Sequence, residues 1–181
     1  MIWRRILVPE NYSFWDLHVA IQDAMGWLDC HLHEFNISNP VTGQQDCIGI
    51  PSETWDTDAS NILKGWELNI RDYFSGTTKL ALYIYDFGDN WEHEVCLEKI
   101  LLRETGVRYP KCIDGARACP PEDCGSIPGY ENLLTIMRNP EDDQYDEMVE
   151  WLGKIYQPEA FSHKIRFSSP KQRLKMMLNR S

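Results

Sequence analysis

Two runs of alternating apolar and polar residues near the middle of the chain predict a β-hairpin. The first run covers Leu80–Asp86, and the second covers Trp91–Leu102. Strict alternation of this kind is typical of strands with one buried face. The segment between the runs contains Gly, Asp and Asn, which tolerate left-handed backbone angles at a turn. In the second strand His93 shares the apolar face with Val95, and glutamates occupy the other face.

Similar patterns predict strands at Ile2–Val8 and Leu32–Ile37, with a helix at Ser13–Met25 between them. Ser13 followed by Asp16 forms a capping box, in which each side chain bonds a backbone amide of the other residue. Gly26 is a natural left-handed helix stop. The order of elements predicts an α+β domain, with a mixed or antiparallel sheet of four strands and one helix across a face. We expect a β-grasp-like arrangement.

The second half of the chain predicts a loop and a layer of helices. Tyr109–Tyr130 contains four prolines, three glycines and three cysteines, and we expect a long loop with little regular hydrogen bonding. Helices follow at Tyr130–Met137 and from Asn139, with Pro140 in the first helical position, to Leu152. Ser169-Pro170 opens a last helix. Two weaker predictions are a short strand at Cys47–Ile50 and a helical turn at Asn61–Lys64.

The composition of the chain indicates one soluble domain with a basic tail. The 181 residues carry a net charge of −10 and are 43% hydrophobic, enough to fill a core. We assign residues 1–162 to the α+β domain and residues 163–181 to a basic helical tail. The tail contains six basic residues and no acid, which leaves 12 basic against 28 acidic side chains elsewhere. These six are Lys164, Arg166, Lys171, Arg173, Lys175 and Arg180.

This charge distribution limits the classes of partner. An acidic body does not suit binding to nucleic acid, so we expect the tail to pack on the body, or on the acidic body of a partner, rather than on DNA. No apolar run approaches the ~20 residues of a membrane-spanning helix, and the N-terminus has no secretory signal pattern. We therefore expect a cytoplasmic protein without a membrane partner. Its six cysteines are then free thiols or metal ligands rather than disulfides.

Four sequence blocks in order resemble the plasmid pRiA4b ORF-3-like family. They are I-W-R-R-I-L-V-P at Ile2–Pro9, A-M-G-W with H-L-H-E-F within Ala24–Phe35, Y-D-F-G-D-N-W-E-H at Tyr85–His93, and Y-P-K-C…G-A-R-A-C-P-P-E-D-C-G…P-G-Y at Tyr109–Tyr130. The resemblance extends to about Phe161 and excludes the basic tail. It implies an association with mobile elements, but the family has no established activity.

The resemblance also raises two expectations that concern partners. Family members usually have one more strand before I-W-R-R, so we expect Ile2–Val8 to lack an edge partner and to allow a homodimer through this strand. Some members carry a resolvase label inherited from a neighbouring transposon. Recombination needs a serine or tyrosine nucleophile among arginines, and no such cluster is evident here. We regard the label as unsupported.

The cysteine-rich loop is the first candidate metal site. Cys112, Cys119 and Cys124 with His93 would supply the four ligands of a structural zinc ion, which would brace a loop without a core of its own. The C-x6-C-x4-C spacing is looser than common zinc motifs. Because free cysteine is often buried without any ligand role, thiols packed under the loop remain the alternative.

The histidines form a second candidate. His31, His33 and His93 lie on strand faces that could meet near Asp86 or Asp89, where they could hold a catalytic metal or act as a general base. The alternative is that each histidine is a core imidazole bonded to a neighbouring carbonyl or carboxylate group.

The preferred function is a non-catalytic interaction or ligand-binding domain. Aromatic residues such as Trp91, Tyr109 and Tyr130 could line an interface or a small-ligand groove, with Glu122 and Asp123 facing solvent beside it. The partner would be an unidentified protein or small molecule. A zinc-dependent hydrolase or other metal enzyme is the alternative, and a DNA-acting recombination accessory is third.

Overall fold

The computed structural model describes residues 1–51 and 62–179. Within these ranges the helices are α1 (Phe14–Met25), α2 (Ser126–Met137), α3 (Tyr145–Leu152) and α4 (Pro170–Leu178), with a short 3-10 helix at Ile70–Asp72. The strands are β1 (Trp3–Leu7), β2 (His33–Ser38), β3 (Gln45–Gly49), β4 (Leu63–Lys64), β5 (Leu80–Tyr85), β6 (Trp91–Cys96) and β7 (Lys111–Ala116). In the described residues, no helix has the length and apolar character needed to span a bilayer.

The central sheet has the strand order β4-β3-β2-β5-β6, and a separate two-stranded ribbon pairs β1 with β7. All pairs in the central sheet are antiparallel except β3 with β4, which is parallel. The α+β class and the mixed sheet are therefore confirmed. The predicted hairpin is also confirmed, with Tyr83 opposite His93.

Helix α1 covers one face of the central sheet. Ser13 and Asp16 make both hydrogen bonds of the predicted capping box, and Gly26 ends the helix with a φ of 88°. Phe14 is fully buried and contacts the ring of Phe35 on β2 edge-on. The predicted helix therefore lies where its apolar stripe is removed from water.

The predicted place of the first strand in the central sheet is wrong. β1 pairs with β7, so part of the segment predicted as an irregular loop is a regular strand. A Cβ atom at Gly115 would lie 2.8 Å from the backbone oxygen of Trp3, so the glycine allows the close approach of the two strands. β1 and β7 are far apart in the sequence, so no local pattern of residues predicts that they pair. The prolines on both sides of β7 also make this segment resemble a loop.

Several predicted boundaries also differ. β6 ends at Cys96 rather than Leu102, and α2 begins at Ser126 rather than Tyr130. α3 begins at Tyr145, because the segment after Pro140 forms turns that are bonded through Asn139 and Asp142. Leu63 and Lys64 form β4 instead of a helical turn, and Asn61 lies outside the described residues.

The basic C-terminal segment packs on the acidic body, as its charge predicted. Arg173 of α4 contacts Asp23 at 2.5 Å and Asp29 at 3.2 Å, and Ser168 donates two hydrogen bonds to Asp23. The Arg173 side chain is only 20% exposed, so these ion pairs are poorly screened by solvent. The contacts fasten α4 against α1.

Two fully buried histidines stack beneath α1. The rings of His18 and His33 lie 3.4 Å apart between centroids and almost parallel. Gln22 donates to the Tyr83 hydroxyl, so this hydroxyl donates to Nδ1 of His18, and Nε2–H of His18 donates to Asp29. Burial lowers the pKa of both imidazoles, and for His33 the neighbouring His18 lowers it further. Both rings are therefore neutral at pH 7.

We expect Ser13→Ala to lower the free energy of unfolding by about 1 kcal/mol, because it removes the side-chain acceptor of the α1 capping box. Urea denaturation measures the change. Ser169→Ala is the matched control, because Ser169 precedes α4 without a side-chain capping bond. Equal effects of the two substitutions would contradict the role of the capping box.

We expect the free energy of unfolding to fall as the pH drops below 6.5. Since the folded pKa of His18 and His33 is lowered, the unfolded chain takes up protons that the folded chain resists. Each such proton changes the free energy by about 1.4 kcal/mol per pH unit. Asp23, Asp29 and Arg173 are the charged groups that face the two histidines. They are unchanged in the two variants that test this prediction, so their effect on the pH dependence is the same in both.

His33→Phe, studied in EDTA, removes one of the two titrating rings and should flatten this pH dependence. His163→Gln at an exposed position is the control and should keep the wild-type slope. Thermal or urea unfolding between pH 7.5 and 5.5 provides the measurement, and an unchanged slope in His33→Phe would refute the assignment.

Candidate functional site

Antiparallel pairing of β2 with β5 brings His31 and Asp86 to the same end of the central sheet. His33 lies opposite Tyr85, so the residue just before β2 is close to the residue just after β5. The backbone amide of Asp86 donates to the carbonyl oxygen of Leu32 at 2.9 Å and continues the pairing by one bond. The sheet register therefore fixes the distance between the imidazole and the carboxylate.

The loop between β7 and α2 places two more acids over this end of the sheet. The Glu122 carboxylate accepts hydrogen bonds from the Leu28 amide at 2.7 Å and from the Tyr85 hydroxyl at 3.1 Å. Trp27 donates from Nε1 to the carbonyl oxygen of Pro120 at 2.9 Å. These bonds hold the loop against the sheet and direct Asp123 toward His31.

His31 is surrounded by carboxylate oxygens but lacks a hydrogen bond at its inner nitrogen. Its Nε2 lies 3.0 Å from Asp123, 3.6 Å from Asp86 and 4.0 Å from Glu122. This nitrogen is buried and makes no hydrogen bond, which means that even the 3.0 Å approach has poor alignment. In the part of the chain that the structure describes, His31, Asp86 and Asp123 form the group whose potential ligand atoms all lie within 4.8 Å of one another.

We call this group of side chains the His31 cluster; its members are His31, Asp86, Glu122 and Asp123. The cluster is half enclosed. The Asp86 side chain is 10% exposed, whereas that of Asp123 is 69% exposed. Asp86 and Asp123 have φ angles of 57° and 56°, in the left-handed region. These angles turn each side chain away from the direction that a strand or helix would give it. The cluster therefore has one buried side and one side open to solvent.

The structure separates the other predicted histidines from the cluster. His33 stacks on His18 under α1, and His93 lies between Trp27 and Tyr83. Nδ1–H of His93 donates to the Trp91 carbonyl oxygen at 3.1 Å, and burial lowers the pKa of the ring. His93 therefore occupies the core-imidazole environment that the sequence left open as an alternative. His33 is also buried in the core, but its Nδ1 has no hydrogen-bond partner in the described residues.

The predicted zinc ligands do not form a close group in the described residues. Cys112 is buried next to Arg4, and its thiol contacts the Asp114 carbonyl oxygen at 3.5 Å. Burial raises the pKa of Cys112 and Cys119, and raises that of Cys124 to about 12. His93 is not part of a group with these thiols. The structural zinc ion at these four residues stays a prediction.

The remaining predicted binding residues have separate roles. Asp89 accepts a hydrogen bond from the Gly125 amide at 3.2 Å and supports the loop that carries Asp123. Trp91 and Tyr130 are buried, with the Tyr130 hydroxyl bonded to that of Tyr156. Tyr109 lines a cleft that shares no residue with the cluster.

Sequence reasoning missed the part that Glu122 and Asp123 play in the cluster. Both residues were expected to face solvent, and only Asp123 does, since the Glu122 side chain is 15% exposed. Their adjacency within a proline-rich loop was visible in the sequence. Nothing local indicated that the loop folds back over the residue preceding β2.

The fold and the cluster together define an α+β domain with a carboxylate–imidazole site between its central sheet and a proline-rich loop. Residues 1–164 match the family described as "Plasmid pRiA4b ORF-3-like protein". The chain belongs to this family.

Two similar proteins extend the comparison. An uncharacterised protein, y4hQ, from Sinorhizobium fredii (strain NBRC 101917 / NGR234) is 31% identical over 154 residues, which are 84% of this chain and 74% of that protein. The crystal structure of a protein of unknown function, MM3350, from Methanosarcina mazei Go1 has a TM-score of 0.82 and 48% identity. The match covers 92% of this chain and 90% of the MM3350 chain. These matches give the family and the fold without an activity.

We expect the cysteines to differ in reactivity toward a thiol reagent at pH 8. Cys96 is exposed and should react rapidly, whereas Cys119 should react only after unfolding, because burial raises its pKa. Timed labelling with iodoacetamide and mass-spectrometric mapping measures both rates. Rapid labelling of Cys119 in the folded protein would contradict the packing of the loop.

Proposed function

We propose that the protein is a ligand-binding domain whose ligand is a divalent transition-metal ion held by the His31 cluster. The observation that carries this proposal is the buried Nε2 of His31, which has no hydrogen bond and faces the oxygens of Asp123 and Asp86. A buried polar atom without a partner is costly, and a cation between the nitrogen and the oxygens would remove that cost.

The spacing of the polar atoms suits an ion. Two ligands that each lie about 2.1 Å from one metal ion, at angles of roughly 90–110°, are themselves separated by about 3.0–3.4 Å. The separations of 3.0 Å to Asp123 and 3.6 Å to Asp86 are close to this range. The hydrogen bonds from Leu28 and Tyr85 would orient Glu122 as an outer ligand or as an acceptor for metal-bound water.

The donor set favours Mn²⁺, Fe²⁺ or Zn²⁺. Carboxylate oxygens suit Mg²⁺ and Mn²⁺, and an imidazole nitrogen raises the preference for transition metals. The net charge of −10 also favours the approach of cations. All six cysteines are free thiols, in keeping with the cytoplasmic location inferred from sequence. An association with mobile elements remains an inference from the family resemblance.

The solvent-facing side of the cluster supports a second candidate, the metal-dependent hydrolase. Catalytic metal sites keep a coordination position for water or substrate, and exposed Asp123 leaves room for one. His31 and Asp86 would hold the ion, and Glu122 would accept a proton from its bound water. Metal-dependent cleavage of p-nitrophenyl acetate or bis-p-nitrophenyl phosphate, abolished by Asp86→Asn, would favour this function over binding alone.

We expect the EDTA-treated protein to bind one Mn²⁺ ion, because thiols are poor ligands for Mn²⁺ and the His31 cluster supplies oxygen and nitrogen. Asp86→Asn and His31→Gln should each weaken the binding at least about tenfold. Isothermal titration calorimetry with MnCl₂ is the measurement. Asp72→Asn, at an exposed acid in the 3-10 helix, is the matched control and should bind as the wild type does.

Zinc titration separates the two predicted metal sites. Zn²⁺ binding that is lost in Asp86→Asn and kept in Cys119→Ser assigns the ion to the His31 cluster. A second equivalent of Zn²⁺ that disappears in Cys119→Ser would instead support the structural site on the cysteine loop. Mn²⁺ affinity that is equal in the wild type, Asp86→Asn and His31→Gln would refute the proposal.

A further inference from the structure

A cleft lies between the residues that precede β7 and the segment that leads into α4. Its volume is about 440 Å³, within the ~300–1,000 Å³ of small-molecule sites. Aromatic and proline rings form most of its wall. The lining residues are Tyr12, Arg108, Tyr109, Pro110, Ile165, Phe167, Ser168 and Pro170.

Two polar groups on this wall have no hydrogen bond or ion pair with another protein group in the described ranges. The guanidinium of Arg108 makes neither an ion pair nor a hydrogen bond with any residue of 1–51 or 62–179, and the same holds for the Tyr12 hydroxyl. Burial raises the pKa of Tyr12 to about 12, so its hydroxyl is a donor at neutral pH. A cation and a hydroxyl donor are therefore both present in a cleft that is lined mostly by aromatic and proline rings.

Arg108 differs from the arginines of this chain that form ion pairs. Arg5, Arg117 and Arg173 each form an ion pair with an acid of the same chain. Arg103, Arg138 and Arg166 also lack an acidic partner in the described residues, but Arg108 is the one of these four that lines the aromatic cleft. A ligand carboxylate would pair with this guanidinium, because guanidinium binds carboxylate through two parallel hydrogen bonds.

We propose that this cleft binds a small aromatic carboxylate. The ring of the ligand packs among Tyr12, Tyr109 and Phe167, where flat apolar surfaces offer offset-stacked and edge-on contacts. Its carboxylate meets Arg108, and the Tyr12 hydroxyl is an additional donor. A neutral aromatic molecule would gain the packing without the ionic contact and would bind more weakly.

The cleft is independent of the His31 cluster. One wall consists of residues 165–170, which lie beyond the residues 1–164 that match the family. This wall is fixed by the bonds of Ser168 to Asp23 and by the hydrogen bond from Trp15 Nε1 to the Pro170 carbonyl oxygen at 2.9 Å. The binding of an aromatic acid would therefore depend on the C-terminal segment, and it requires no metal.

Fluorine NMR with 4-fluorobenzoate as the probe tests the proposal on the full chain in EDTA. We expect saturable binding with a Kd at or below about 1 mM. 4-Fluorobenzamide, which has nearly the same shape without the charge, should bind at least about tenfold more weakly. Because EDTA removes metal ions, failure of the metal proposal would not affect this result.

Arg108→Gln should weaken 4-fluorobenzoate binding at least about tenfold, since it removes the charge-assisted bonds. Arg166→Gln is the matched control, because Arg166 is exposed in the same wall segment but does not line the cleft. Absence of saturable binding, equal affinity for the amide, or equal weakening by both substitutions would overturn the proposal. Both arginines are exposed, so neither substitution should prevent folding.

Discussion

The carboxylate of Glu122 connects three segments that are distant in the sequence. It accepts hydrogen bonds from the Leu28 amide after α1 and from the Tyr85 hydroxyl at the end of β5, while its own loop follows β7. Tyr85 in turn accepts from the Cys30 amide at 3.0 Å. A carboxylate that is 15% exposed and doubly bonded holds its position more firmly than a surface acid. The cluster around His31 depends on this clamp, which acts together with the bonds from Trp27 to Pro120 and from Gly125 to Asp89 to hold Asp123 near the imidazole.

A second network, beneath α1, makes the C-terminal helix part of the same structure. Gln22, Tyr83, His18 and Asp29 form a continuous chain of hydrogen bonds that ends at Arg173 on α4. Asp29 also belongs to the short connection that carries His31. Such buried polar chains are favourable only when every member has a partner, and the bonds of Arg173 complete this one. The C-terminal segment therefore supports the core in addition to forming one wall of the aromatic cleft.

The two candidate sites differ in their chemistry and in their place in the family. The His31 cluster is acidic, half enclosed and built entirely from residues within the family match. The cleft is aromatic with one arginine, and residues beyond the family match complete it. The electrostatic fields of the two sites favour ligands of opposite charge, a cation at the cluster and an anion at the cleft. The same fold therefore carries two candidate sites for ligands of opposite charge.

The sequence by itself determined the elements whose signals are local. The capping box at Ser13, the glycine stop at Gly26, the hairpin and the burial of the His93 face follow from contacts within a few residues or from strict alternation. Only the tertiary structure decided that β1 pairs with β7, and that Asp123 reaches His31. These contacts join residues roughly 90 to 110 positions apart. Their free energy comes from pairing and burial across the whole fold, which no local pattern of side chains encodes.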